Sequence, residues 1–252
     1  MSTKTLYLEA SSKNVAPYVI LSGDPRRVEK IIPLLDDCEE VAVNREFHTY
    51  TGNYNGMPVT VSSTGIGGPS AAIAIEELFE AGVQVVVRLG TVMGLNRLGS
   101  FFVPIAAVRK DGTSDAYVDP GYPAVADFEL VQHMRRSVIN HQGSVESGII
   151  YSSQGYYTQM KESALSKRMD VDVPGFIDSL HRLNVGGIDM ETATLLTLGN
   201  LMAIKTCSVT LATVTDNLNK KMDTAVRQKE EERLAQIVLD GLLNYHREES
   251  KK

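Results

Sequence analysis

Three arginines stand beside apolar runs at points where the chain turns, and together they carry the chemistry of anion binding. Arg27 lies in Gly23-Asp24-Pro25-Arg26-Arg27-Val28, directly after Tyr18-Val19-Ile20-Leu21-Ser22. Arg45 lies in Asn44-Arg45-Glu46-Phe47, and Arg88 ends Val83-Gln84-Val85-Val86-Val87 and leads into Gly90-Thr91. A guanidinium presents a planar fork of donors that matches an oxyanion, and backbone N–H groups at glycine turns add further donors. Any one arginine is as readily a solvated surface charge. Three of them at strand–loop junctions point to a site for a small dianion such as phosphate.

Further segments supply chemistry of other kinds. Thr64-Gly65-Ile66-Gly67-Gly68-Pro69-Ser70 joins an apolar run to a helical pattern, which would set backbone donors and a helix N-terminus beside a bound anion. The glycines could equally serve only positive φ. No Gly-Lys-Ser/Thr follows, and the spacing is not that of a dinucleotide-binding turn. In Gly187-Ile188-Asp189-Met190-Glu191-Thr192, Asp189 reads as a helix cap. Glu191 projects from the helix start, where it is either a partner of the helix dipole or a grip on vicinal sugar hydroxyls. Ala212-Thr213-Val214-Thr215-Asp216-Asn217 ends a strand in a polar tip, so Asp216 is either a turn former or an acid at the carboxyl edge of a sheet.

Short apolar runs alternate with helical periodicity, which predicts parallel β/α packing. Strands are predicted over Tyr18–Ser22, Val59–Ser63, Val83–Leu89, Phe101–Val108, Ser147–Ser152 and Thr206–Val214. Helices are predicted over Pro25–Leu35, Pro69–Ala81, Phe128–Asn140, Met190–Asn200 and Thr224–His246. Around Ser163–Leu183 the pattern weakens at Pro174 and Gly175, and a variable loop or short-helix region is expected. The charged run Lys229-Glu230-Glu231-Glu232-Arg233 reads as a solvated helix face without functional weight. With no repeat or linker, the whole chain, 1–252, is expected to form a single domain.

Composition narrows the function classes. The 252 residues carry 25 Lys+Arg against 31 Asp+Glu, a net charge of −6, which argues against a general nucleic-acid binder. The two cysteines, Cys38 and Cys207, form neither a disulfide framework nor a zinc site, so a reducing cytoplasm is the expected compartment and no metal is expected. No run approaches the roughly 20 apolar residues of a membrane span.

In combination, Gly-Asp-Pro-x-Arg-Val, Asn-Arg-Glu-Phe, Ser-Thr-Gly-Ile-Gly-Gly-Pro-Ser, Arg-x-Gly-Thr, Tyr-Pro-Ala-Val-Ala-Asp and Met-Glu-Thr-Ala-Thr-Leu-Leu resemble the purine nucleoside phosphorylase and uridine phosphorylase family, from about Val19 to Asn217. The overall likeness is closest to the uridine branch. The resemblance implies a three-layer α/β/α fold around a mixed, largely parallel twisted sheet. It implies reversible phosphorolysis of a ribonucleoside to free base and ribose 1-phosphate, with phosphate as co-substrate and no cofactor. Gly23, Arg27, Arg88 and Thr91 then match the phosphate positions. Arg45 matches an arginine that reaches in from a neighbouring subunit, which implies a homo-oligomer, at least a dimer and in the family often a hexamer. Met190 and Glu191, with Thr91, match the ribose positions. Met93, Gly94, Tyr156, Gln159 and Asp216 match the base side, with Arg88 and Asp216 the catalytic pair.

The departures concern specificity. Met160 and Glu162 stand where the uridine branch carries a Gln-x-Arg pair, with Gln159 and Lys161 one residue away. Thr215-Asp216-Asn217 instead resembles the purine branch, where the aspartate protonates the base. Leu6-Tyr7-Leu8-Glu9-Ala10 holds no histidine where the family places one on the ribose 5′-hydroxyl, and Tyr7 could substitute. Met93 replaces a small residue, so it either narrows the pocket or folds aside into the core. Two other readings stay open: a nucleosidase, which has little use for three anion-binding arginines, and a non-catalytic nucleoside-binding relative.

Overall fold

Residues 4–215 and 219–251 are described by a computed structural model. In chain order the first half contains β1 (Tyr18–Ser22), α1 (Pro25–Ile31), β2 (Asp36–Asn44), β3 (Phe47–Tyr54), β4 (Met57–Ser63), α2 (Gly68–Glu80) and β5 (Val85–Gly94). There follow β6 (Phe101–Phe102), β7 (Ala106–Lys110), β8 (Ala124–Val125), α3 (Phe128–Asn140), β9 (Val145–Glu146) and β10 (Ile149–Ser153). The remainder is α4 (Tyr156–Gln159), α5 (Ala164–Arg168), α6 (Val173–Arg182), β11 (Val185–Asp189), α7 (Thr192–Leu201), β12 (Lys205–Thr215), β13 (Lys220–Lys221) and α8 (Thr224–Glu249).

All thirteen strands among the described residues join one mixed sheet, whose main path runs β2-β3-β4-β1-β5-β11-β10-β7-β8. Strands β4, β1, β5 and β12 run parallel, as do β11, β10 and β7. The β2–β3–β4 meander and the β7–β8 rim are antiparallel. Successive β5 side chains feed opposite cores: Val85, Val87 and Leu89 pack towards α1, α3 and α8, whereas Val86 packs with residues of α2 and α7. The sheet is thus covered on both faces, and the expected three-layer arrangement follows from that alternation.

β5 opens the site. Along one side it pairs continuously with β12. On its other side it pairs with β1 as far as Leu89, then at Met93 and Gly94 with β11, which runs the opposite way. The change of partner leaves a crevice at the carboxyl ends of the strands, where open α/β sheets bind ligands.

Four differences between sequence and structure bear on how the sheet is built. The strand predicted to end at Leu89 continues to Gly94, because β12 keeps pairing with it as far as Met93 and β11 pairs with Gly94. The run Phe101–Val108 is cut in two, since Pro104 has no N–H to offer a ladder. The acidic β2 and its partner β3 were not anticipated; β2 carries four carboxylates, the pattern of a charged edge strand. β11, Val-Gly-Gly-Ile-Asp, was missed because glycine weakens the strand signal. Those glycines are needed for close approach, since a Cβ at Gly186 would overlap the Phe102 ring and one at Gly187 would lie 2.7 Å from Val92.

Candidate active site

A cleft of about 960 Å³ lies at this crevice, between the ends of β1, β4, β5, β11 and β12. Each wall is set by local chain chemistry. After β1, Asp24 caps α1 by accepting from the Arg26 N–H at 3.0 Å, and Pro25 fixes the first helical φ. This cap turns the first helical residues across the strand ends, so Arg27 lies buried at the cleft wall. Its Nη2 donates to Thr91 Oγ1 at 3.2 Å, and its Nε stands 3.5 Å from Glu231.

Arg88 and Glu191 form the centre. Arg88 is 7% exposed, and its Nη2 donates to Glu191 Oε2. Its Nη1 stands 3.4 Å from Asp189 Oδ2, is buried, and has no hydrogen-bond partner. The second oxygen of Glu191 accepts from the Gly67 N–H at 2.6 Å, which ties the glycine turn to the helix start. Asp189 acts as the cap the sequence suggested: Oδ2 accepts from the Thr192 N–H and hydroxyl, and Oδ1 accepts from Ser152 Oγ at 2.7 Å. Gly68 allows this crowding, because a Cβ there would lie 2.5 Å from Thr113 Oγ1 and 2.7 Å from Thr194 Oγ1.

The electrostatics of the two arginines differ. Burial alone would favour loss of charge from Arg88, but Glu191 and Asp189 outweigh it and raise its pKa. Burial pushes Arg27 down, and Arg88 and Arg227 add to that, against Glu231 and Asp24. Arg27 is therefore a buried cation whose charge its surroundings only partly offset. An anion entering beside Arg27 would offset the charge that its surroundings leave uncompensated.

Of the residues expected to act, Gly23, Arg27, Arg88, Thr91, Met93, Tyr156, Met190 and Glu191 line this one cleft. Met93 answers both sequence readings at once: it is 1% exposed, packed against Ile188 and Met160, and still part of the cleft wall. Gln159 and Gly94 are not in the lining. The Gln159 amide is committed within its own turn, accepting from Ser153 Oγ and donating to Tyr151 OH. Gly94 sits in the sheet opposite Gly187. Lys161 and Met160 line the cleft in their place. None of the five histidines does. Asp216 falls outside the described residues, although Thr213 and Val214 bring β12 to the cleft.

Arg45 is exposed at the two-residue turn between β2 and β3, with φ at +54°. It does not line the cleft of its own chain, and its guanidinium lies 5.6 Å from the centre of the Tyr7 ring. Thus two of the three arginines converge within one chain, not three.

Sequence reasoning missed Glu231, Arg227 and Glu46. The run around Glu231 is not uniformly solvated, because Glu231 is 8% exposed and faces Arg27. Its place in the helix gives the signal: Arg227 is four residues before it, and buried Leu234, Ala235 and Val238 follow three, four and seven residues after it.

Two buried guanidinia thus lie in one cleft at the carboxyl edge of a mixed sheet, beside a carboxylate and a glycine turn. The sequence profile described as "Phosphorylase superfamily" matches residues 17–243. The uridine phosphorylase of Thermococcus kodakarensis is 38% identical over 213 residues, covering 82% of this chain and 77% of that protein. The guanosine phosphorylase of Halorubrum lacusprofundi is 33% identical over 218 residues, covering 85% and 84%. Among solved structures, the uridine phosphorylase of Vibrio fischeri ES114 with 6-hydroxy-1-naphthoic acid superposes with a TM-score of 0.84 at 29% identity, covering 96% of this chain and 97% of that one. The chain belongs to the phosphorylase superfamily.

Proposed function

We propose that the cleft of this nucleoside phosphorylase holds inorganic phosphate against Arg27, Arg88, Thr91 and the Gly23 backbone, and a ribonucleoside over Glu191 and Met190. One observation carries the reading: Arg88 Nη1 is buried, charged and without a hydrogen-bond partner, in the same cleft as Arg27. A buried donor in that state calls for an acceptor that arrives with the substrate. A dianion satisfies it, whereas a nucleosidase, which uses water, gains nothing from a guanidinium pair.

The chemistry follows from charge. As the C1′–N bond breaks, positive charge develops on the sugar, and a phosphate oxygen beneath C1′ stabilises that charge before bonding to it. The two arginines fix the attacking oxygen in place, which removes most of the entropic cost of the encounter. Glu191, already oriented by Gly67 and Arg88, accepts from ribose hydroxyls. The glycosidic electron pair leaves with the base, which gains a proton that the hydrogen phosphate gives up overall, so no cofactor enters the balance. Asp216 is proposed as the group that delivers that proton to a purine.

The base is proposed as uracil first, on overall likeness, with guanine-type purines as the second reading on Asp216 and the Halorubrum relative. The base sits against Tyr156, Met93 and Lys161. Arg45, exposed and outside its own cleft, is proposed to reach the phosphate of a second copy, so that the working unit is at least a dimer and, on family likeness, a hexamer. One sheet shared by all the described strands supports a single domain. A cytoplasmic location is proposed on the two cysteines, Cys38 and Cys207, which are both free; among the described residues no helix is long and apolar enough to cross a membrane. The test is a panel of uridine, inosine, guanosine and adenosine with phosphate, scored for free base and ribose 1-phosphate. Turnover of uridine above the purines supports the first reading, purine preference supports the second, and binding without turnover of any member contradicts both.

A further inference from the structure

The largest unexplained feature near the cleft is a buried carboxylate that no substrate would touch. Glu231 projects from α8 into the seam with α1 and is 8% exposed. Three cations from two helices converge on it. Lys30 Nζ lies at 2.8 Å, Arg227 Nε at 3.0 Å and Arg27 Nε at 3.5 Å. Of these, Arg27 and Arg227 line the cleft, while Glu231 and Lys30 do not.

The geometry points to Glu231 as a positioning residue for phosphate: it holds Arg27 by the Nε edge and leaves the Nη edge turned to the cleft. This inference rests on the proposed function. Arg27 has a planar fork with a fixed set of donors, so whichever edge is anchored decides which edge is presented. Here the Nε edge faces Glu231, and Nη2 reaches Thr91 Oγ1 at 3.2 Å. Without Glu231, Arg27, Arg227 and Lys30 would lose the carboxylate that all three share. Like charges at such range repel, and the flexible side chains would swing apart. The Glu231 pKa bears on the same point: burial would raise it, but Lys30, Arg227 and Arg27 hold it below the usual carboxylate range, so it stays ionised at neutral pH.

A second effect opposes the first. A carboxylate near Arg27 also repels an incoming dianion, and removing it would strengthen phosphate binding if orientation were unimportant. The two effects predict opposite signs. Because a hydrogen-bonded, buried charge is costly to leave unpaired, orientation is taken to dominate.

The experiment measures phosphate and nucleoside KM, kcat, and the rise in Tm on adding inorganic phosphate, for wild type, Glu231→Gln and Glu231→Asp. In Glu231→Gln the phosphate KM is expected to rise about tenfold or more, the size of one lost charge-assisted hydrogen bond, with nucleoside KM within about twofold. The phosphate-induced rise in Tm shrinks in parallel, and Glu231→Asp, which keeps the charge on a shorter arm, recovers part of both. Unchanged or tighter phosphate binding in Glu231→Gln overturns the inference, as does an equal rise in both KM values. Should Glu231→Gln fail to fold, Glu231→Asp decides the question by the same KM split. If wild type itself shows no stabilisation by phosphate and no phosphate-dependent turnover, it is the proposed function that fails.

Discussion

The two ends of the cleft are built differently. At the end proposed for the anion, Arg88, Glu191 and Arg27 are each held by at least one partner from a distant part of the chain. Arg88 on β5 is held by Glu191 before α7, Glu191 by the Gly67 N–H before α2, and Arg27 on α1 by Thr91 and Glu231. At the base end the lining is mostly side-chain surface without such ties: Tyr156, which is 37% exposed, with Met160, Lys161 and Val214. On the proposed function, chemistry shared by all substrates is thus locked into the scaffold, whereas the end proposed to distinguish one base from another sits on short elements and a strand tip. Preorganised donors gain most where charge develops in the transition state, and that charge lies on the sugar and phosphate.

The largest break in this comparison is expected from Arg88→Ala. It removes a donor to phosphate and the partner of Glu191, so kcat should fall by about 10²–10³-fold on every nucleoside alike. It also leaves Glu191 and Asp189 buried without their cation, which should cost about 3 kcal/mol of stability and lower Tm. Steady-state kinetics and thermal melts check both. A loss confined to one base would contradict the division between the two ends.

A shared anion end gives the next test. Arg45→Ala should raise phosphate KM by about tenfold, the cost of one charge-assisted contact. Chains carrying Arg45→Ala co-expressed with chains carrying Arg88→Ala should then show, at low phosphate, activity above that of either variant alone. In a mixed dimer one site receives an intact Arg88 from its own chain and an intact Arg45 from its neighbour. No recovery in isolated mixed dimers would mean that Arg45 serves no neighbouring site.

The most selective expected effect sharpens the base end. Asp216→Asn should slow purine cleavage by about 10²-fold, the usual range for a lost general acid, and leave uridine cleavage nearly unchanged. Equal losses on both substrates would remove the case for Asp216 as the acid of a purine reaction.

The anion end was also the more legible in sequence. Arg27, Arg88, Thr91 and Glu191 are tied to turns and strand ends whose residue types declare themselves: Asp-Pro at a helix start, Gly-Ile-Gly-Gly before a helix, and Asp-Met-Glu before an apolar one. Tyr18–Ser22 and Phe128–Asn140 have the same bounds in sequence and structure, because an apolar run and a capped 3.6-residue period leave little choice. Other features were hidden for physical reasons. The hairpin of β3 and β4 carries Asn55-Gly56, both at positive φ, the strongest short hairpin signal, but it follows an acidic edge strand that masks the pattern. Glu231 was hidden among neighbouring charges, and only its spacing from buried leucine and valine marks it. The ties of the Gln159 amide to Ser153 and Tyr151 arise from a fold that sequence does not display.

The central claim is that Arg27 and Arg88 await a phosphate that becomes the nucleophile. The most direct measurement compares base release in phosphate-depleted buffer with release at saturating phosphate, using isotopically labelled phosphate and following the sugar product. The account predicts that release rises by about 100-fold or more with phosphate, a modest share of what placement of a reactant can contribute, and that the label appears on ribose 1-phosphate. Equal rates in the two buffers, with free ribose as the product, would contradict it.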